Sequence, residues 1–222
     1  MVFGKNSIYV GSGSLIGDQY VLTAAHNLCM KKDGTDQSIS PLYVIFSPGK
    51  NGFTTPKLGE FYSTTFFWHA QYETLKDPLD ARNFDIGLFV LRKDDKPLPQ
   101  QHLKLKTLSD NMRMNSINVT GYPGEKKDFM FTMNGPLIEI EEHILRYDID
   151  TTAGQSGSGV WWRDESDGKE YIIGVHTNAP TLLEKDLNIG TRLTLAKQDT
   201  LNKWIDIFNV NDNKKIEEKK EN

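Results

Sequence analysis

The feature that most constrains this chain is a succession of short β-type runs, each ended by a turn of Gly, Pro, Asn or Asp residues. About a dozen such runs are spread over residues 7–195. They form two groups, about 7–95 and 115–195, separated by a polar segment at 96–114 that contains Pro97 and Pro99. The pattern predicts an all-β fold in two parts. All-β barrels and sandwiches commonly reach the length of 222 residues as one unit.

The last part of the chain follows a different pattern. Leu201, Trp204, Ile205 and Phe208 recur at the spacing of one helix face, which predicts a C-terminal α-helix over 196–208. Residues 209–222 are almost entirely Lys, Glu, Asn and Asp. A segment so poor in apolar residues is expected to be a polar, disordered tail.

Composition excludes several classes of protein. The formal charge of −4 argues against nucleic-acid binding, and no apolar run approaches the roughly 18–20 residues that span a bilayer. Cys29 is the single cysteine, so no intramolecular disulfide can form, and its neighbours predict a small buried side chain. His69, His102 and His143 lack the spacing of metal ligands, so we expect neither a metal site nor a cofactor.

Three short segments bring together the residue types of nucleophilic catalysis. Val21–His26 is a strand that ends in small residues before a histidine, and Asn83–Ile86 places an acid at the start of a buried strand. Gly154–Gly159 holds Ser156 in a glycine-rich loop. A serine hydroxyl needs a base to take its proton, and the base needs a carboxylate that fixes its tautomer.

The order of these residues narrows the type of hydrolase. Each segment alone is common in proteins for structural reasons, so the inference of a catalytic site rests on the three segments together. A nucleophile elbow of the α/β-hydrolase type requires a helix after the serine and the chain order Ser, acid, His. Here the order is His26, Asp85, Ser156, and a strand-like run at 160–163 follows the serine. The elbow is therefore disfavoured.

The local sequences resemble those of the chymotrypsin-like serine proteases, and most of all the bacterial glutamyl endopeptidase and exfoliative toxin branch. The resemblance extends from about residue 7 to 208 and is carried by five segments in family order: VLTAAHNL at 21–28, FDIGLFVL at 84–91, NVTGYPGE at 118–125, YDIDTTAGQSGSGV at 147–160 and IGVHT at 173–177. It implies two six-stranded antiparallel β-barrels with the active site between them, closed by the C-terminal helix. It also implies that Ser156 is the nucleophile, His26 the general base and Asp85 the orienting carboxylate, with the N–H groups of Gly154 and Ser156 forming the oxyanion hole.

The same resemblance implies how substrate is held. Thr177, Asn178 and Ala179 are expected to pair with the substrate backbone as an added strand. His176 and Thr151 occupy the positions that line the primary specificity pocket of glutamyl endopeptidases. Both side chains can donate to a carboxylate, so we expect cleavage after Glu, and after Asp second.

Other features leave alternatives open. Twenty-five residues precede His26, fewer than is usual in this family, whose members place a free N-terminal amine near the pocket. The alternatives are a narrow-specificity, exfoliative-toxin-like protease that needs activation and a non-catalytic binding module that retains the fold. The expected partner is a protein or peptide substrate, with no nucleic acid and no membrane. The protein is expected to be a monomer, and secreted by family resemblance although no signal peptide is recognisable.

Overall fold

A computed structural model describes residues 1–3, 7–31, 38–92, 97–110, 112, 114–126, 128–178 and 187–220. The strands of the first half are β1 (Val2–Phe3), β2 (Ser7–Ile8), β3 (Ser14–Leu15), β4 (Tyr20–Thr23), β5 (Met30–Lys31), β6 (Ser38–Ile39), β7 (Val44–Phe46), β8 (Phe61–Ser63), β9 (Thr65–Trp68) and β10 (Gly87–Val90). Those that follow are β11 (Lys104–Leu105), β12 (Ile117–Gly121), β13 (Phe131–Gly135), β14 (Leu137–Ile140), β15 (Ile144–Tyr147), β16 (Gly159–Arg163), β17 (Glu170–Asn178) and β18 (Asn188–Arg192). The helices are α1 (Ala70–Thr74), α2 (Pro78–Ala81) and α3 (Leu195–Lys220), with 3₁₀ turns at Ala25–Asn27, Arg82–Phe84 and Gly124–Lys126.

The strands form separate sheets in the two halves of the chain. In the first half, β3-β4-β10-β9 make a four-stranded antiparallel sheet, and β1-β2, β5-β6 and β7-β8 pair on their own. In the second half, the order β13-β12-β16-β17-β18-β15-β14 is antiparallel throughout, and β11 adds a parallel neighbour to β17. The predicted mostly-β class with a C-terminal helix is confirmed. The strand grouping differs from two six-stranded barrels, since the strands of the first half are divided among one four-stranded sheet and three separate pairs.

The segment predicted to be a plain linker, 96–114, contains a strand. Lys104 and Leu105 pair in parallel with Tyr171 and Ile172 of β17. Leu103 and Leu105 also pack against the buried core. Partial burial of these two leucines in a mainly polar segment gives the pairing its apolar support, which the prediction did not take into account.

The C-terminal helix is longer than predicted. It begins at Leu195 and continues to Lys220, so the expectation of a disordered tail from residue 209 is wrong as far as residue 220. Residues 195–220 contain neither Gly nor Pro, and the Lys and Glu residues near the end are good helix formers, so nothing in the sequence ends the helix at 208. Neither this helix nor any other within the described ranges is long and apolar enough to cross a membrane.

The predicted apolar face of α3 is confirmed, and it covers the seam between the two halves. Leu201 is fully buried in a core cluster that also contains Leu22 and Leu88 of the first half and Ile172 and Val175 of the second. Trp204, Ile205 and Phe208 pack against the same cluster, and the Trp204 ring stacks on the Phe67 ring with 6.0 Å between centroids. One core therefore joins both halves and fixes their relative position.

Candidate active site

The pairing of two strands brings His26 and Asp85 together. In the β4–β10 ladder Thr23 lies opposite Gly87, so the end of β4 meets the start of β10. The 3₁₀ turn after β4 carries His26, and the turn before β10 ends at Asp85. Antiparallel pairing thus explains why residues 59 positions apart in the chain become neighbours.

Two hydrogen bonds fix the histidine on the carboxylate. Asp85 Oδ2 lies 2.7 Å from His26 Nδ1, and Oδ1 accepts the backbone N–H of His26 at 2.9 Å. The Asp85 side chain is buried, whereas 31% of the His26 side chain is exposed. Desolvation lowers the pKa of His26, but the charge of Asp85 and its hydrogen bond outweigh this effect and raise the pKa overall. Nδ1 is therefore held as the donor, and Nε2 is left for proton transfer.

The loop around Ser156, residues 154–158, is called the serine loop, and its backbone needs glycine. Gly154 and Gly157 have φ angles of +99° and +90°, which residues other than glycine rarely adopt. A methyl group on Gly157 would lie 2.2 Å from the Ser12 carbonyl oxygen, and one on Gly154 would lie 2.6 Å from the Tyr122 carbonyl oxygen. The glycines therefore permit the turn, the close packing of Gly157 against the first half and that of Gly154 against Tyr122 of the second half.

Ser156 and His26 line the same cavity, which has a volume of about 370 Å³. Its other walls are formed by Met1, Tyr9, Val10, Asn27, Cys29, Met30 and Tyr72. The hydroxyl of Tyr72 is poorly solvated, and burial, with the charge of Asp85, raises its pKa well above the ordinary value of tyrosine. The histidine and the serine of the sequence motifs thus meet on the surface of one cavity.

The backbone N–H groups of the serine loop differ in whether they have an acceptor within the protein. The N–H of Gln155 donates to Thr152 O at 3.1 Å, and that of Gly157 donates to His176 O at 2.8 Å. Among the described residues, the N–H groups of Gly154 and Ser156 donate to no protein acceptor. These are the two donors that the family resemblance implied.

The backbone of His176 is hydrogen-bonded to the serine loop. It belongs to β17, and besides accepting from Gly157 N–H it donates its own N–H to Ser158 O at 2.8 Å. Its Nδ1 lies 2.7 Å from the Tyr147 hydroxyl, and both side chains are buried. Burial raises the pKa of Tyr147, so the hydroxyl keeps its proton. Among the described residues, the Tyr147 hydroxyl has one hydrogen-bond partner, His176 Nδ1, so the hydroxyl donates to Nδ1. The ring proton of His176 is therefore placed on Nε2.

Thr151 is already engaged as a donor. Its hydroxyl donates to Asn188 Oδ1, and Asn188 Nδ2 donates to the Ile149 carbonyl oxygen at 2.5 Å. Because a carbonyl only accepts, the amide orientation follows, and the Thr151 hydroxyl must give its proton to Asn188. Thr151 would donate to a bound carboxylate, as the sequence led us to expect, only after releasing Asn188.

The segment expected to pair with substrate is partly described. β16 pairs with β17 as far as Val175, so the residues that follow have one edge not covered by β16. Thr177 is buried, with its hydroxyl 3.4 Å from Ile189 O, and Asn178 is exposed at the end of β17. Ala179, predicted to be the third member, lies outside the described residues.

Sequence reasoning missed several polar residues around the site. Ser12 and Asn27 contact the serine loop, whereas Tyr147 and Asn188 hold the two predicted pocket residues. The position of Asn27 directly after His26 was a usable signal. The other three are separated from the motifs in sequence and are brought close by strand pairing alone. Within the described ranges, no group of three or more His, Cys, Asp or Glu residues is placed to hold a metal ion.

Comparison with known proteins identifies the family of this chain. Residues 11–175 match the trypsin-like peptidase domain family. Curated relatives include glutamyl endopeptidases of Bacillus licheniformis, 28% identical over 208 residues, and of Staphylococcus aureus, 35% identical over 182 residues. The alignments cover 90% and 78% of this chain but only 61% and 45% of those proteins, so the chain spans about half to three fifths of their length.

Solved structures show the same fold. A Glu endopeptidase superposes with a TM-score of 0.72 at 22% identity, over 91% of this chain and 86% of the other. The thermostable serine protease AL20 gives a TM-score of 0.69 at 16% identity, over 89% and 91%. Because the family match covers about three quarters of the sequence and includes His26 and Asp85, the chain belongs to the trypsin-like peptidase domain family.

Proposed function

We propose that this chain is a serine endopeptidase that cuts proteins or peptides after Glu and, less readily, after Asp. The observation that carries the proposal is the doubly hydrogen-bonded pair of His26 and Asp85 beside a cavity that Ser156 also lines. A serine hydroxyl, an oriented base and a buried carboxylate are the groups that acyl transfer requires.

The proposed chemistry proceeds through an acyl-enzyme. Ser156 Oγ bonds to the carbonyl carbon of the scissile peptide as its proton passes to His26 Nε2, and Asp85 stabilises the imidazolium. The oxyanion accepts from the N–H groups of Gly154 and Ser156. His26 then gives its proton to the leaving nitrogen as the C–N bond breaks, and water repeats the attack with His26 as base. The absence of protein acceptors for these two N–H groups among the described residues supports a hole that is formed before substrate binds.

The preference for Glu is proposed to depend on the Nε2–H donor of His176. Burial, followed by the charge of His26, lowers the pKa of His176 to about 4, so the ring is neutral at pH 7. In this state it recognises a carboxylate as a hydrogen-bond donor, in competition with the Ile189 backbone group that accepts from the ring. A carboxylate bound at Nε2 would raise the pKa of the ring again, because a negative charge favours the imidazolium. The glutamyl endopeptidase names of the curated relatives support the same preference.

Labelling with a fluorophosphonate probe tests the proposed nucleophile. The wild-type protein is expected to gain one covalent adduct on Ser156 and to lose peptidase activity in parallel, whereas Ser156→Ala is expected to remain unlabelled. Ser158→Ala is the matched control, because this serine lies two positions away and its buried hydroxyl has no hydrogen-bond partner among the described residues. It is expected to be labelled like the wild type.

The alternatives give different results in the same experiment. Equal labelling of Ser156→Ala and the wild type would contradict the proposal. A folded wild-type protein that is not labelled would favour a non-catalytic binding module. Labelling without cleavage of unstructured peptides would favour a narrow-specificity, exfoliative-toxin-like protease that needs activation.

A further inference from the structure

Two side chains of the first half hold the serine loop of the second half. Ser12 lies just before β3, and Asn27 ends the 3₁₀ turn that carries His26. Both residues are largely buried, with 7% and 6% of their surface exposed. Neither belongs to the three motifs that identified the site, and neither can act as acid, base or nucleophile there.

Ser12 makes two contacts with the loop. Its backbone N–H donates to Ser156 O at 2.8 Å, and its hydroxyl donates to Gly154 O at 2.9 Å. The hydroxyl also accepts the Tyr122 N–H at 2.9 Å, so its proton is directed to Gly154. One residue thus holds the carbonyl groups of both residues whose N–H groups are proposed to bind the oxyanion.

Asn27 holds the same loop from a second direction. Its Nδ2 donates to Ser156 O at 2.9 Å and to Thr23 Oγ1 at 3.0 Å. Thr23 Oγ1 in turn donates to Ser12 O at 2.8 Å, which links the two contacts into one network. A methyl group on Gly157 would lie within 2.7 Å of Asn27 Nδ2, and one on Gly11 would lie 2.8 Å from the same atom. Both glycines therefore leave the space that this arrangement occupies.

Planar peptides transmit these contacts to the Ser156 N–H donor, whereas the Gly154 N–H lies in the preceding peptide, whose carbonyl oxygen accepts from Gly124 N–H at 2.7 Å. The Gly154 carbonyl shares a rigid plane with Gln155 N–H, and the Ser156 carbonyl shares one with Gly157 N–H. The network fixes both planes. The peptide between them, which carries Ser156 N–H, is then held at each end. Donors that are fixed before the reaction stabilise the oxyanion without reorganisation during the chemical step.

We propose that the Ser12 hydroxyl and the Asn27 amide are positioning groups for the oxyanion hole, supplied across the seam by the first half of the chain. The inference rests on the proposed function of the Ser156 loop. It goes beyond that function because it assigns roles to two residues outside the triad, the hole and the pocket.

The test is the kinetics of Ser12→Ala and Asn27→Ala. Misplacement of a donor by about 1 Å costs roughly 10²-fold in rate, so we expect kcat to fall about 10- to 100-fold. KM should change by less than about threefold, because the pocket contacts of His176 are untouched. A peptide boronic acid, which forms a tetrahedral adduct, should lose affinity by the same factor as kcat/KM. The pH dependence of kcat should stay unchanged, since His26 keeps both bonds to Asp85.

Ser14→Ala is the matched control. The Ser14 hydroxyl accepts from Gly159 N–H at 3.1 Å, in the strand that follows the serine loop rather than in the loop itself. This variant should lose stability comparably and keep its kcat. All rates are divided by the concentration of fluorophosphonate-reactive sites, so a partly unfolded variant does not imitate a slow enzyme.

The outcomes separate this inference from the proposed function. An active wild type in which both variants keep kcat, or lose activity through KM alone, would overturn the positioning role and leave the peptidase proposal intact. A parallel loss in Ser14→Ala would show that the effect is general destabilisation. A wild-type protein without labelling at Ser156 would overturn both.

Discussion

The hydroxyl of Tyr147 offers a sharp test of how the pocket recognises glutamate. In Tyr147→Phe the ring stays and only the hydroxyl is lost, so His176 Nδ1 loses its partner at 2.7 Å in a fully buried place. Leaving one buried acceptor unsatisfied costs about 1–3 kcal/mol. Without the hydroxyl the ring loses its preference for the Nε2–H tautomer, and in the Nδ1–H tautomer Nε2 presents a lone pair to the substrate carboxylate. At about 1.4 kcal/mol per tenfold change, kcat/KM for Glu substrates should fall roughly 5- to 150-fold.

The assay compares two fluorogenic peptides that differ only in Glu or Ala before the scissile bond. The expected loss is confined to the Glu peptide, and slow cleavage of the Ala peptide should be unchanged. Tyr171→Phe is the matched control, because its hydroxyl bonds to Asp167 in the hairpin between β16 and β17, away from the pocket. A folded Tyr147→Phe that retains wild-type kcat/KM on Glu, or that loses both activities equally, would refute the proposed tautomer.

Two further predictions concern the triad and stability. Asp85→Asn should lower kcat roughly 10⁴-fold with little change in KM, because the amide favours the wrong tautomer of His26. Steady-state kinetics check this prediction, and a loss of kcat below tenfold would contradict it. Burial, followed by the charge of Arg192, lowers the pKa of Lys197 to about 7, so the unfolded chain, with a lysine pKa near 10.5, binds this proton more tightly. The native state therefore loses stability as the pH falls from about 10.5 to 7. Lys197→Met should remove a cost of up to about 5 kcal/mol, as an upper bound. Urea unfolding of the wild type and of Lys197→Met at pH 6 and pH 10 checks this. The variant should have a clearly higher free energy of unfolding only at pH 6, and an equal gain at both pH values would contradict the prediction.

The residues that the sequence could identify are those with a local signature. Strand composition indicated the mostly-β class, and the spacing of Leu201, Trp204, Ile205 and Phe208 indicated the face of the last helix that packs on the core. His26 and Ser156 could be singled out because glycine, small residues and a buried strand surround them in the chain itself. These signals are local, so they are visible in the sequence itself.

What the sequence could not predict depends on contacts between distant segments. The Tyr147 hydroxyl reaches His176 across 29 positions, and Thr151 gives its proton to Asn188 across 37. Nothing near either residue in the chain indicates such a partner. The end of α3 was misjudged for another reason, since low apolarity was interpreted as disorder although strong helix formers without Gly or Pro can continue an anchored helix.

A cleavage-site profile of the wild-type protein on a diverse peptide library, resolved by mass spectrometry, tests the central claim most directly. The account predicts cuts that follow Glu in large excess and Asp second, all abolished in Ser156→Ala. Cuts after basic or large apolar residues would contradict the role assigned to His176. Cleavage that persists in Ser156→Ala would contradict the serine mechanism itself.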